Sequence, residues 1–417
     1  MVEMKKRNLT SALLRSLSDA PVALLMGPRQ VGKSTLVEWI AENEHPADYF
    51  TLDSRGVYDA AAIDPEGFVD GLDDNCVIDE VQRVEELFLA IKRSVDKKRK
   101  PGKFLLTGSA NPFFLPDISE SLAGRMEIHT LWPFSQGELN GVRDGFVDAV
   151  FSNERLNFNP MPSPEKLSEI LVCGGYPEIQ ERRDSDRREA WFESYLSAMI
   201  HRDLRDLKNI KNVSELSNLL SLTANRATEL LNSSGLSSET GIPRTTLKRY
   251  LALLEAGFLL IKIPPWRANL GKRLTKSSKI FLTDSGLLCH LLGCSAERLL
   301  DERKRLGRVL ENFVAMELCK QIGWSQKRVE LYHFRTYNGI EIDFVLEAAD
   351  GTLVGVEVKS SKTVRGDDFE NLRYLNNQIP EKFHRGIVLY TGEDFVPVSQ
   401  NMEAYPLSSL WDGGTVE

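Results

Sequence analysis

Two glycines five residues apart, with a lysine and a serine directly after the second, are the residues of this chain best suited to chemistry. They stand in Gly27-Pro28-Arg29-Gln30-Val31-Gly32-Lys33-Ser34, and Thr35 follows. Glycine lets a backbone wrap phosphate oxygens with its N–H groups turned inward. Lys33 is then placed for the β- and γ-phosphates, and the Ser34 hydroxyl for Mg²⁺. The elements that must hold such a loop are legible on either side. Val22-Ala23-Leu24-Leu25-Met26 reads as a buried strand. Thr35 to Ile40 read as the first turns of a helix, whose N-terminus adds partial positive charge. Strand, loop and helix together predict a P-loop that takes ATP with Mg²⁺.

A second apolar run, Cys76-Val77-Ile78, ends in Asp79 and Glu80. An acid at the end of such a strand completes a Walker B pattern. Asp79 is expected to hold Mg²⁺ with Ser34, and Glu80 to polarise the attacking water. A third strand, Lys103 to Thr107, runs into Gly108-Ser109-Ala110-Asn111. Where an extra strand lies between the two Walker strands, this position carries a sensor of the γ-phosphate. Thr107, Ser109 and Asn111 are the candidates, with Asn111 preferred. Arg125, in Ser121-Leu122-Ala123-Gly124-Arg125, is the candidate arginine finger or sensor, acting on its own chain's ATP or a neighbour's.

Taken in order, GPRQVGKST, the DEVQR of Asp79 to Arg83, LLTGSAN, and SLAGR leading into Trp132-Pro133-Phe134-Ser135 resemble the prokaryotic AAA+-type ATPases that carry a C-terminal domain of unknown function. The resemblance implies an ATPase core. Gly174-Gly175-Tyr176-Pro177 and Arg202-Asp203-Leu204 also match that family's pattern.

The rest of the chain bounds what that core serves. A length of 417 residues predicts two or three domains, and 42% hydrophobic with 27% charged residues is a globular composition. No apolar run reaches the ~18 residues of a membrane span, and no apolar stretch follows the charged N-terminus before Ser16. Five scattered cysteines read as buried free thiols of a reducing compartment, so a cytoplasmic protein with no membrane partner is expected. A net charge of −8 is not that of a polycation, although local basic surfaces remain open to it.

Residues 1–140 are expected to form the ATPase domain, and 141–212 a linker with a helical segment. Residues 213–290 carry the spacing of a winged-helix module. In its third helix Leu247, Leu251 and Leu254 face inward, while Arg244, Thr246, Lys248 and Arg249 are candidates to contact double-stranded DNA. The same charges serve equally as a solvated face.

Residues 291–417 hold two strands joined at Asp350-Gly351, a strong hairpin signal. Asp343 lies on the first strand, and Glu357 and Lys359 share a face of the second. A preceding helix brings Glu311. The arrangement resembles the restriction-endonuclease-like fold, in which two carboxylates hold Mg²⁺ and a lysine orients water. The fold class expected is therefore α/β: an N-terminal P-loop parallel sheet, a helical winged-helix middle, and a C-terminal nuclease-like α/β domain. The expected function is an Mg²⁺-dependent ATPase whose nucleotide state is coupled to the C-terminal parts. An ATP-gated nuclease and a scaffold that binds ATP without turnover are the alternatives.

Overall fold

The computed structural model describes residues 5–109, 124–203, 213–267 and 277–411. They fall into two compact units, one built on Arg7–Pro133 with Leu251–Leu259, the other on Phe134–Tyr250 and Leu260 onward.

The first unit is a five-stranded parallel sheet. Its strands are β1 (Val22–Met26), β2 (Asp48–Thr51), β3 (Cys76–Asp79), β4 (Phe104–Gly108) and β5 (Met126–Thr130), in the order β2-β3-β4-β1-β5. Strands buried on both faces read as unbroken apolar runs, and β1 and β4 are buried at every position. Alternate side chains serve opposite faces. Val22 and Leu24 join Ile78, Phe104 and Leu106 against Leu87, Phe88, Ile91 and Val95 of the helix Leu87–Lys97. The helix Lys33–Asn43 packs against β3 and β4. Inserting β4 between β1 and β3 aligns the ends of all three strands, so Met26 stands beside Gly108.

The second unit begins with helix Gln136–Asn140 and includes helices Phe146–Ala149, Pro164–Cys173 and Ser185–Ala198. Residues 141–164, expected as linker, are not a free connection. Phe146, Val147, Val150 and Phe151 are buried, because the segment has apolar side chains to hide. Helices Val213–Asn225, Ser233–Thr240 and Arg244–Ala256 follow, then an antiparallel pair, β6 (Leu260–Ile263) and β7 (Lys279–Leu282). Leu230 forms a bridge to Lys279 on the outer edge of β7.

The 20-residue helix Arg303–Ile322 then leads into a six-stranded mixed sheet. Its strands are β8 (Val329–Arg335), β9 (Glu341–Ala348), β10 (Leu353–Lys359), β11 (Phe383–Tyr390), β12 (Val396–Ser399) and β13 (Met402–Pro406), in the order β12-β13-β11-β10-β9-β8. The Asp350-Gly351 turn forms as expected, with Gly351 at φ +85°. Among the described residues no helix is long and apolar enough to cross a membrane. Cys76, Cys173, Cys289, Cys294 and Cys319 are all free thiols.

Candidate functional site

The P-loop joins β1 to the helix Lys33–Asn43, and its shape depends on backbone that only glycine adopts readily. Gly27 has φ +149°, and a Cβ there would lie 2.1 Å from the carbonyl oxygen of Leu131. Gly32 has φ +90° and caps the helix. Arg7 clamps the outside of the loop, donating to the carbonyls of Val31 at 2.8 Å and Trp132 at 2.6 Å.

Inside the loop, the Lys33 ammonium donates to the carbonyls of Gly27 at 3.0 Å and Pro28 at 2.8 Å. Burial pulls its pKa down to about 8, against the opposing pull of Glu80 and Asp79. A buried ammonium whose hydrogen bonds, among the described residues, go to its own loop's carbonyls is a cation ready for a polyphosphate. ATP therefore fits this loop, and Lys33, Ser34 and Asp79 are the residues that would hold it with Mg²⁺.

Asp79 closes the site from β3. Its carboxylate accepts from Ser34 Oγ at 3.1 Å, from the Tyr49 hydroxyl at 2.9 Å, and from the Thr107 hydroxyl. Burial and Asp79 together raise the Tyr49 hydroxyl far above its usual pKa, so it stays a donor. Glu80 follows in the left-handed region, at φ 59°. That conformation costs a non-glycine residue about 1–2 kcal/mol. Its N–H donates to Thr107 Oγ1 at 3.0 Å, and its carboxylate accepts from Ser109 Oγ at 2.9 Å and from the Gln82 amide.

Sequence reasoning thus named Lys33, Ser34, Asp79, Glu80, Thr107 and Ser109 as candidates, and the fold brings them together beyond the C-terminal ends of β1, β3 and β4. It missed Tyr49 and Gln82. Their only sequence signal was nearness to strand ends. Asn111 lies outside the described residues. Arg125 is the correction. It precedes β5, whose Met126 pairs with Val22 at the start of β1, so it stands at the sheet end away from the P-loop. There it is ion-paired with Asp96 at 2.5 Å. That position is apart from the P-loop of its own chain.

In the second unit Arg244 and Lys248, one helical turn apart, are exposed and line a cavity of about 1140 Å³. Thr246 is half-buried, and the Arg249 guanidinium lies 5.6 Å from the Tyr250 ring centre. The four candidates therefore divide, with two on the cavity.

Asp343, Glu357 and Lys359 do meet across β9 and β10. The Val358 N–H donates to Asp343 Oδ2 at 2.9 Å, and Lys359 Nζ lies 3.2 Å from Glu357 Oε2. The expected metal centre is nonetheless not what forms. Lys279 of β7 also reaches Asp343, at 3.6 Å, and lies 2.9 Å from Glu311 and 2.6 Å from Glu341. Among the described residues no group of three His, Cys, Asp or Glu side chains is placed to hold a metal ion. Burial and the Asp343 charge push Glu311 up to about 8, with Lys279 opposing.

A parallel sheet with a strand inserted between P-loop and Walker B strands, and this set of side chains at its edge, defines a nucleotide-binding P-loop ATPase domain of the AAA+ class. Residues 19–140 match the family model of an AAA domain. Residues 164–298 and 306–410 match two domains of unknown function, DUF8612 and DUF4143. The chain belongs to one family with the uncharacterized protein Rv2008c of Mycobacterium tuberculosis, 30% identical over 99% of this chain and 86% of that one. An uncharacterized protein of Haemophilus influenzae is 25% identical over 72% of this chain and 69% of its own length. Of the solved structures, AMPPCP-bound DnaA from Aquifex aeolicus is 12% identical with a TM-score of 0.29, covering 60% of this chain and 86% of its own. The Thermotoga maritima RuvB Holliday junction branch migration motor is 20% identical with a TM-score of 0.26, covering 61% and 87%.

Proposed function

We propose that the protein hydrolyses ATP and uses nucleotide state to control a DNA-facing second unit. The observation that carries the first half is the chain of contacts from Ser34 through Asp79 and Thr107 to Glu80. Lys33 binds the β- and γ-phosphates, Ser34 and Asp79 hold the ion, and Glu80 takes the proton of the attacking water. Mg²⁺, when bound, neutralises phosphate charge. Thr107 and Ser109 position Asp79 and Glu80, and Asn111 remains the proposed γ-phosphate sensor.

The second half rests on Arg244 and Lys248, exposed on the first turns of a helix that precedes an antiparallel strand pair. Three helices and that pair, with Leu230 bridged to β7, support a winged-helix reading. Phosphate release under Mg²⁺ tests the ATPase. Turnover that survives Lys33→Ala would assign it to a contaminant, and ATP binding with no turnover would favour a nucleotide-responsive scaffold.

A further inference from the structure

We infer that Lys279 is the resident cation of the acidic centre in the second unit, and that it competes with divalent metal for the same carboxylates. The nuclease-like reading brings a metal to Asp343 and Glu357. The residues present do not fit one in this fold, because an ammonium already lies among Glu311, Glu341 and Asp343.

Three features argue that this is a built site rather than a chance ion pair. The Lys279 side chain is only 2% exposed, so its charge has no outlet to water and must be met by these acids. It is delivered by backbone. Asn312 clips β7 to the helix Arg303–Ile322 through both its amide atoms, to the Leu282 N–H at 2.8 Å and the Leu282 carbonyl at 3.0 Å. Pro264 and Trp266, just beyond β6, bond to the backbone of His333 on β8. β7 is thus clipped to the helix by Asn312 and paired with β6, whose end is tied to β8, so it cannot easily withdraw its lysine. The third feature is Glu357, which is 3% exposed and leaves Oε1 buried with no hydrogen-bond partner among the described residues. The centre thus keeps an acceptor that Lys279 does not satisfy, of the hard oxygen type that Mg²⁺ and Mn²⁺ prefer.

Neutralising Lys279 leaves four carboxylates, Glu311, Glu341, Asp343 and Glu357, with Arg335 still paired to Glu341 at 2.7 Å and Lys359 to Glu357 at 3.2 Å. With the ammonium gone, a divalent ion can draw these carboxylates together in the vacated space. The test uses the nucleotide-free full chain and Mn²⁺, followed by electron paramagnetic resonance and thermal melting. Asp343→Asn separates this centre from the P-loop. Lys279→Met is expected to gain one Mn²⁺ that Asp343→Asn abolishes, and its melting temperature should rise with added Mn²⁺. The wild type should show no Mn²⁺ that depends on Asp343. If Lys279→Met does not fold, Lys279→Met with Glu311→Gln removes one excess negative charge and gives the same readout. A folded variant that gains no ion overturns the inference. So does a wild type that binds Asp343-dependent Mn²⁺ as tightly as the variant. Loss of ATPase activity bears only on the proposed function, since none of these substitutions touches the P-loop.

Discussion

The Ser109 hydroxyl donates to the Glu80 carboxylate across 2.9 Å, and the Gln82 amide donates to the same oxygen. Glu80 is therefore aimed by two side chains, one from β4's end and one from the turn after β3. Its left-handed backbone at φ 59° fixes where the side chain starts. A carboxylate held this firmly is suited to steering one water.

Glu80→Gln keeps the shape and the acceptor for both donors but removes the base. Turnover is expected to fall about 100-fold or more, the usual worth of a positioned general base. ATP affinity should stay within about threefold, because Glu80 does not bind phosphate. Phosphate release and equilibrium nucleotide binding measure the two separately. Unchanged turnover would remove Glu80 from the reaction.

Lys33 gives a pH signature. Burial lowers its pKa to about 8 in the empty loop, so above that pH much of the free protein holds a neutral amine. Polyphosphate favours the charged form and restores the proton. ATP binding near pH 8.5 is expected to take up protons, and affinity should weaken as pH rises through about 8. Calorimetry in two buffers of different ionisation enthalpy measures the uptake. Uptake that persists in Lys33→Met would place the proton elsewhere.

Which parts of the site were legible follows from how far apart in the chain their partners lie. Gly27 to Ser34 and Asp79-Glu80 encode their chemistry in local spacing, so the sequence announces them. Arg125 was misplaced because chain order does not say at which sheet end a residue falls. Only the pairing of Met126 with Val22 decides that. Lys279 gave no signal at all. In Ser278-Lys279-Ile280-Phe281 it reads as a strand-edge lysine, and its partners come from a helix and a strand that fold over it later. Gly174-Gly175 was noticed as a pattern without a reason. The structure supplies one: Gly175 N–H donates to the buried Asp284 at 2.7 Å, and a Cβ on Gly174 would lie 2.1 Å from that carboxylate.

Gly27→Ala should be severe. The new Cβ would collide with a backbone carbonyl at 2.1 Å, at a φ of +149° that an L-residue rarely adopts. Backbone cannot give way as a side-chain tip does. A loss of roughly 2 kcal/mol or more is expected, with ATP binding abolished. Gly56→Ala is the control: nothing lies within 4 Å of its Cβ, and alanine favours the helix. Thermal melts of the two variants decide. Equal melting temperatures would refute the close approach at Leu131.

Arg244 and Lys248 are exposed on the cavity, with Thr245 between them on the same turn. Glutamate at both positions should weaken duplex DNA binding at least about tenfold and flatten its salt dependence, because phosphate contacts release counterions. Arg249→Glu, beside the Tyr250 ring, should matter less. Fluorescence anisotropy across a salt series reads both effects. Binding that ignores the double reversal would leave this helix with a packing role.

His333 predicts how the second unit responds to acid. Its ring is 1% exposed on β8, Nε2 lies 3.3 Å from the Ser277 carbonyl, and Nδ1 is buried without a hydrogen-bond partner among the described residues. Burial, then the Lys279 charge, pushes its pKa down to about 4, against the weaker pull of Ser277 and Glu341. An unfolded histidine titrates near 6.5. Between those two values the unfolded chain takes up a proton that the folded chain refuses, so stability falls as pH drops through the window. Above 6.5 neither state binds it and nothing is lost. The full effect is at most roughly 3 kcal/mol, set by the width of the window. Urea unfolding at pH 7 and at pH 4.5 should show the loss in the wild type, with the slope reduced in His333→Gln. Glutamine cannot take the proton, so an unchanged slope in that variant would mean that other groups carry the acid sensitivity. A reduced slope ties it to the one imidazole that faces Lys279.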